Sequence, residues 1–204
     1  MEPVIRRTAI IALALVAAIA PSAFAQSQIT CHWGKPSAPV RMDIFSDYEC
    51  PACRAFYQET LRLMFKDYAD TGKVCVVYRH FPLTIHPHAM DASRYAEAAF
   101  RIGLQQWAKV TDALFLNQPE WSATGDIETT IARVLSPQEM AAVRNRLKDP
   151  SIDALIEADI REGLFLNVDS TPTFFLTAQG KMEKTAAALR YPALQSRLDA
   201  LLTK

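Results

Sequence analysis

The sequence predicts an α/β fold, a central mixed sheet flanked by helices, with an inserted all-helical subdomain. Three observations predict it. An apolar strand pattern gives way at Cys50 and Cys53 to a helical one and then returns to a strand pattern, which makes a βαβ unit. Residues 88 to 165 then carry helical spacing with no strand between. A hairpin pattern and a closing helix follow. The expected order is β-β-α-β, the helical insertion, then β-β-α.

The chain opens on a targeting segment. Arg6 and Arg7 supply a positive end, Ala9 to Ala20 an apolar run, and Ala23-Phe24-Ala25 a small-x-small cleavage site. The apolar run is short of the about 20 residues that span a bilayer. Met1 to Ala25 therefore reads as a signal peptide, with an uncleaved anchor as the alternative, and the mature protein is expected in the periplasm or outside the cell. The whole chain has 22 basic and 22 acidic residues; removing Glu2, Arg6 and Arg7 leaves 20 and 21. That balance gives no basis for a nucleic-acid or anionic-surface partner. An exported chain meets an oxidising compartment, where disulfides persist. Cys31, Cys50, Cys53 and Cys75 all lie in the mature part. The expected division is residues 1–25 signal peptide, 26–87 first part of the α/β fold, 88–165 helical insertion, and 166–204 second part.

Each element has its own signal. Gln28 to His32 is a short, weak candidate strand. Val40, Met42, Ile44 and Phe45 mark a buried strand over residues 40 to 45. Pro51 suits a first helical position, because its missing N–H would go unpaired there. Phe56, Tyr57, Leu61, Met64, Phe65 and Tyr68 continue a helix that Asp70-Thr71-Gly72 should end. Lys73 to Phe81 reads as a strand parallel to the previous one. Helices follow over His88 to Leu104, Gln105 to Leu116, Asp126 to Leu135 (after a loop holding Trp121 and Gly125) and Ser136 to Leu147, the last opened by a capping box. Ser151 should cap a further helix with Ile152, Leu155, Ile156, Ile160 and Leu164 on one face. Thr173 to Thr177 and Lys181 to Ala187 form the hairpin, and Tyr191 to Leu202 the closing helix.

The chemistry is concentrated where the first helix begins. A helix N-terminus presents unpaired N–H groups and a partial positive charge, which favour a thiolate over a thiol. Cys50 is placed there as the exposed nucleophile, and Cys53, one turn on and facing inward, as the resolving thiol. Such a pair closes a small disulfide ring and exchanges it through a mixed disulfide. A structural disulfide or half a zinc site is the alternative reading of the same spacing.

The phrases Phe45-Ser46-Asp47-Tyr48-Glu49-Cys50-Pro51-Ala52-Cys53 and Arg79-His80-Phe81-Pro82-Leu83 with His86-Pro87 and Ala89, together with Thr171-Pro172 before a late strand, resemble the DsbA-like branch of the thioredoxin fold. That branch comprises exported thiol-disulfide oxidoreductases, and the resemblance covers nearly the whole mature chain. It implies catalysis by Cys50 and Cys53 with no cofactor beyond their disulfide. It implies a cis Thr171–Pro172 bond beside them, whose backbone binds an extended substrate. It also implies cysteine-containing exported proteins as substrates and a membrane or soluble redox partner. This sequence departs from the branch in three ways. Ala52 stands where the oxidases carry a histidine, and Glu49 adds a nearby negative charge, which implies a less acidic Cys50. Ile44 stands where a buried acid is common, with Asp43 expected to face the other way. Threonine before the proline is closer to the isomerase-type relatives and leaves the direction of electron flow open.

Cys31 and Cys75 are expected on neighbouring strands, where a structural disulfide is geometrically open to them; two free thiols or a bridge to another chain are the alternatives. His80, His86 and His88 have no compelling metal-ligand spacing and read as surface or capping residues, so no metal is expected. Trp107 and Trp121 read as core of the insertion. Two function classes stand: an exported thiol-disulfide oxidoreductase, or a non-catalytic thioredoxin-fold module that binds partners or acts as a chaperone through its insertion. The oligomeric state is not legible.

Overall fold

The computed structural model describes residues 31–186 and 188–203. The expected signal peptide and the first part of the expected strand at Gln28 to His32 lie outside the described residues. β1 (Val40–Ser46), β2 (Val74–His80), β3 (Thr173–Ala178) and β4 (Lys181–Thr185) form one sheet in the order β2-β1-β3-β4. β1 pairs parallel with β2, from Val40 opposite Val74 to Ser46 opposite His80. The other pairings are antiparallel, so the sheet is mixed, as expected.

Two parallel neighbours need a crossover, and the helix over residues 51–69 supplies it. It starts α-helical (Pro51–Phe56) and runs on through two π-helical turns, Tyr57–Leu61 and Phe65–Ala69. Gly72, at φ 75°, stops it by adopting the left-handed conformation that other residues resist. Side chains alternate along β1. Val40, Met42 and Ile44 pack with Phe56, Leu194 and Leu198 on one face. Phe45 packs with Phe81, Val168 and Phe175 on the other.

Of the expected strand only Cys31 and His32 are described, and just past them Trp33 makes one antiparallel bridge with Val76. Gly34 ends the contact on the C-terminal side. It turns at φ 89° so close to β2 that a Cβ there would lie 2.0 Å from the Val74 carbonyl oxygen. The chain cannot run further alongside β2. Cys31 nevertheless reaches Cys75, with a Cα–Cα distance of 5.5 Å, and the two are joined as a disulfide.

The helical stretch consists of Ala89–Phe100, Leu104–Leu116, Gln118–Thr124, Ile127–Ala132, Pro137–Arg146 and Ser151–Phe165. The Ser136–Glu139 capping box forms on both sides: Glu139 N–H donates to Ser136 Oγ at 3.2 Å and Ser136 N–H to Glu139 Oε2 at 2.7 Å. The loop expected around Trp121 is instead a helix. Trp121 is fully buried and its indole N–H donates to the Leu114 carbonyl at 2.7 Å, which holds the segment against the preceding helix. Trp107 is likewise buried.

Ser151–Phe165 departs from expectation twice. Its cap is Pro150 rather than Ser151, whose N–H and hydroxyl both donate to Asp149. Its buried stripe is Ile152, Ile156, Asp159 and Gly163, while Leu155 and Leu164 face solvent. The helix lies over the end of β2, so its packing partner is polar. Asp159 accepts from the Arg79 guanidinium at 2.9 Å and from His80 N–H at 3.0 Å. Gly163 then lets the helix settle on aromatic rings: a Cβ there would be 2.6 Å from Phe81 and 3.1 Å from Phe45.

Two outcomes are expected. Gly163→Ala should destabilise by about 1–3 kcal/mol through overpacking, read as a lower urea midpoint at constant slope; an unchanged midpoint would show that the rings yield freely. A Cys50→Ala, Cys53→Ala variant should keep one intramolecular disulfide by non-reducing mass analysis. Two freely alkylated thiols in that folded, air-oxidised variant would refute the Cys31–Cys75 pairing.

Candidate active site

β1 ends at Ser46, and residues 47 to 49 turn the chain into the helix. Cys50 is the N-cap, in extended conformation at φ −73° and ψ 122°, with Pro51 in the first turn and no side chain capping the helix. Pro51 has no N–H and the Cys50 N–H goes to the Asp47 carbonyl, which leaves the unpaired N–H groups of Ala52 and Cys53 to face the Cys50 sulfur. Cys53 sits one turn further on, buried at 1% exposure. Both are free thiols.

Cys50 is itself 7% exposed, which corrects the expectation of an open nucleophile. Two elements distant in sequence cover it. Thr171 and Pro172, joined by a cis peptide bond, lead into β3, and the Cys50 thiol donates to the Thr171 carbonyl at 3.5 Å. From the insertion, buried Gln118 donates through Nε2 to the Tyr48 carbonyl at 2.7 Å and to the Cys50 carbonyl at 3.0 Å. Pro51 and Ala52 remain exposed beside the sulfur, so a partner chain has an approach.

The two thiols differ sharply. Cys50 is lowered to about 5, first by its hydrogen bond with Cys53, then against burial by Thr171 and by the backbone N–H groups of Cys53 and Ala52. Cys53 is pushed well above the ordinary thiol range by burial, and further by the hydrogen bond and charge of Cys50. The Asp47 N–H at 3.5 Å from its sulfur opposes this only weakly. One sulfur is set up to be a thiolate and the other a thiol. The Thr171 hydroxyl is buried and has no hydrogen-bond partner among the described residues. A Cys50 thiolate is the acceptor open to it.

Asp43 points away from the cysteines, as its strand parity requires, and is taken up by Arg41 at 2.5 Å and Arg79 at 3.2 Å. No β1 acid lies beneath Cys53. His88 is the N-cap of Ala89–Phe100, as a capping residue should be, while His80 departs from the surface reading. His80 is 1% exposed and 3.7 Å from Glu97, which Arg101 holds at 2.8 Å. His32 is buried, accepts the Tyr78 N–H at 3.1 Å, and is driven down to about 3 by that burial, hence neutral. Among the described residues no group of three or more His, Cys, Asp or Glu side chains is arranged to hold a metal. No helix among them is long and apolar enough to cross a membrane.

Three residues at the site escaped sequence reasoning. Asp47 is fully buried and its carboxylate accepts from Glu49 N–H at 2.7 Å, Leu83 N–H at 2.8 Å and His86 Nδ1 at 2.7 Å. His86 follows from Asp47, and Gln118 reaches in from the insertion. Asp47 and His86 do stand inside the two phrases that carry the resemblance, which was the available signal; Gln118 had none. Glu49 is also buried. Its carboxylate accepts His88 N–H at 2.7 Å, at the N-terminus of Ala89–Phe100, so its charge faces a helix dipole rather than solvent.

This geometry has counterparts. The profile of a family described as thioredoxin matches residues 26–199. The chain is 28% identical over 168 residues to Na(+)/H(+) antiporter NhaA 1 of Mycolicibacterium gilvum, covering 80% of this chain but 26% of that protein. It thus spans about a quarter of the length of such curated relatives. It is 26% identical over 148 residues to the probable disulfide bond formation protein D of Bacillus cereus, covering 70% of this chain and 68% of that one. The solved structure of Wolbachia pipientis alpha-DsbA1 superposes with a TM-score of 0.72 at 21% identity, over 84% of this chain and 89% of that one. The chain belongs to the thioredoxin family. Within it, the chain shares its fold with the solved alpha-DsbA1.

The electrostatics carry a pH dependence. A thiol whose folded pKa is depressed stabilises the reduced form fully above the ordinary thiol pKa of about 8.5. That contribution is lost as pH falls through about 5. The melting temperature of the reduced protein should therefore gain on that of the oxidised protein between these limits. Thr171→Val, which removes only the hydroxyl, should raise the Cys50 titration by about one unit, followed by thiolate absorbance. An unmoved titration would show that the hydroxyl does not reach the sulfur.

Proposed function

We propose that the protein is an exported thiol-disulfide oxidoreductase whose Cys50–Cys53 pair exchanges disulfides with cysteines of other exported proteins in the periplasm or outside the cell, after cleavage near Ala25. The observation that carries the reading is the placement of the two thiols, Cys50 as the helix N-cap against the Thr171 carbonyl and Cys53 buried one turn inward, which opposes their acidities. In the oxidised protein, a substrate thiolate attacks the Cys50 sulfur. The Cys50–Cys53 bond breaks, Cys53 leaves and takes up a proton, and a mixed disulfide joins substrate to Cys50. A second substrate thiolate attacks its own disulfide-bonded sulfur and expels Cys50 as the thiolate. Two electrons have passed from the substrate dithiol to the protein, and a membrane or soluble redox partner takes them on.

Thr171 and Pro172 are the proposed substrate-binding residues, because the Thr171 carbonyl lies at the Cys50 sulfur, where backbone pairing with an extended chain would present a cysteine to it. The acidity of Cys50 favours oxidation of substrate: stabilising the thiolate stabilises the reduced form, so the disulfide is the stronger oxidant. The helical insertion reaches the site through Gln118 and is proposed to act as part of the same unit.

The test is oxidation of a reduced, unfolded protein substrate by the oxidised enzyme. The wild type should transfer its disulfide stoichiometrically, and Cys50→Ser should lose transfer completely, since the attacked sulfur is gone. Full transfer by that variant would sink the assignment and favour a binding module.

A further inference from the structure

Asp47 and His86 come from different motifs, yet they meet at 2.7 Å within the shell of the two cysteines. Asp47 touches both sulfur-bearing residues through its backbone. Its carbonyl accepts the Cys50 N–H at 3.2 Å and its N–H points at Cys53 Sγ at 3.5 Å. Its side chain is 0% exposed, while that of His86 is 17% exposed and reaches the rim. A buried carboxylate is costly unless it is paired, and here the ring is its only charged partner within bonding distance among the described residues. Left unpaired, that negative charge would stand beside Cys50 and oppose a second negative charge on the sulfur.

We infer that His86 is a positioning residue of the exchange reaction: as a cation held by Asp47, it cancels the buried carboxylate and supplies the counter-charge that lets Cys50 exist as a thiolate. This deepens the proposed function and rests on that reading of Cys50. Neither residue between the cysteines, Pro51 nor Ala52, carries a charge, so a side-chain counter-charge has to come from outside the CxxC. The charged groups that face the His86 ring are Asp47, Glu49 and Cys50, all of them acidic. Burial works against protonation of the ring, but the hydrogen bond and charge of Asp47, followed by the charges of Cys50 and Glu49, raise it above the ordinary histidine value. Glu49 is turned toward the next helix through His88 N–H, which leaves Asp47 as the anion that holds the ring.

The arrangement also has a mechanical side that a purely structural role would share. Asp47 straps the loop before Cys50 to the loop after β2 through Glu49 N–H and Leu83 N–H. Those two bonds do not need His86, so replacing the histidine separates charge from strapping.

The experiment titrates the Cys50 thiolate of the full-length reduced protein by absorbance, in wild type, His86→Gln and His86→Lys. Glutamine keeps a hydrogen-bond donor without the charge; lysine keeps the charge. His86→Gln should raise the Cys50 titration by about one unit and slow alkylation of the thiol by about tenfold near pH 4, where the thiolate is the minority form in both proteins. His86→Lys should return most of both. Titrations of His86→Gln that overlay the wild type would overturn the inference. Equal shifts in both variants would also overturn it, because they would assign the effect to shape. Thiolate titration does not depend on turnover: a wild type that fails to oxidise substrate sinks the functional reading, while the response of the titration to His86 still decides the charge role.

Discussion

Asp47 carries a carboxylate to a place with no solvent access, three residues before Cys50, and the local structure is arranged around satisfying it. Two backbone N–H groups and one imidazole converge on its oxygens. The first two bonds fix how the end of β1 turns into the helix and how the segment after β2 folds back beside it. Buried charge tolerates little slack, because a lost partner leaves an uncompensated group in a low-dielectric setting. The cysteines inherit that rigidity, since the backbone of the same residue touches both.

The insertion is bound into the same arrangement rather than appended to it. Gln118 holds the carbonyls of Tyr48 and Cys50, Tyr48 exchanges a hydrogen bond with Thr111 at 3.2 Å, and Tyr57 donates to Asp112 at 2.9 Å. On the opposite face of the sheet, Asp159 and Gly163 seat the last insertion helix on β2 by hydrogen bonds and close contact. A helix that docks on polar groups need not carry the apolar stripe that a helix docking on core must show.

Position along one helix is enough to make two identical side chains chemically unlike. Cys50 lies among unpaired N–H groups at the helix end, where negative charge is favoured. Cys53 lies one turn inward, where burial penalises the same charge. Each also acts on the other, since the proton that Cys53 retains is the one it donates to the Cys50 sulfur.

The sequence by itself determined the elements whose signals are local. Strand parity in β1, proline at the first helical position, glycine at the helix end, the Ser136–Glu139 capping box and the closing helix are all set by residues within a turn or two of each other, and they appear where the pattern put them. The CxxC at a strand-to-helix junction was legible for the same reason. Tertiary structure decided what depends on partners far along the chain. The chain after Trp33 turned off at Gly34 because of β2; the Trp121 segment became helical against Leu114; Leu155 and Leu164 turned outward because Asp159 and Gly163 found β2 and Phe81. His80 went inside, and Cys50 was covered by Thr171 and Gln118. Asp47 and His86 lie 39 residues apart and show their meaning only once the sheet brings their loops together. Propensity and capping act through bonds within one element, whereas burial and charge pairing are properties of a place in the folded molecule, which a linear pattern does not contain.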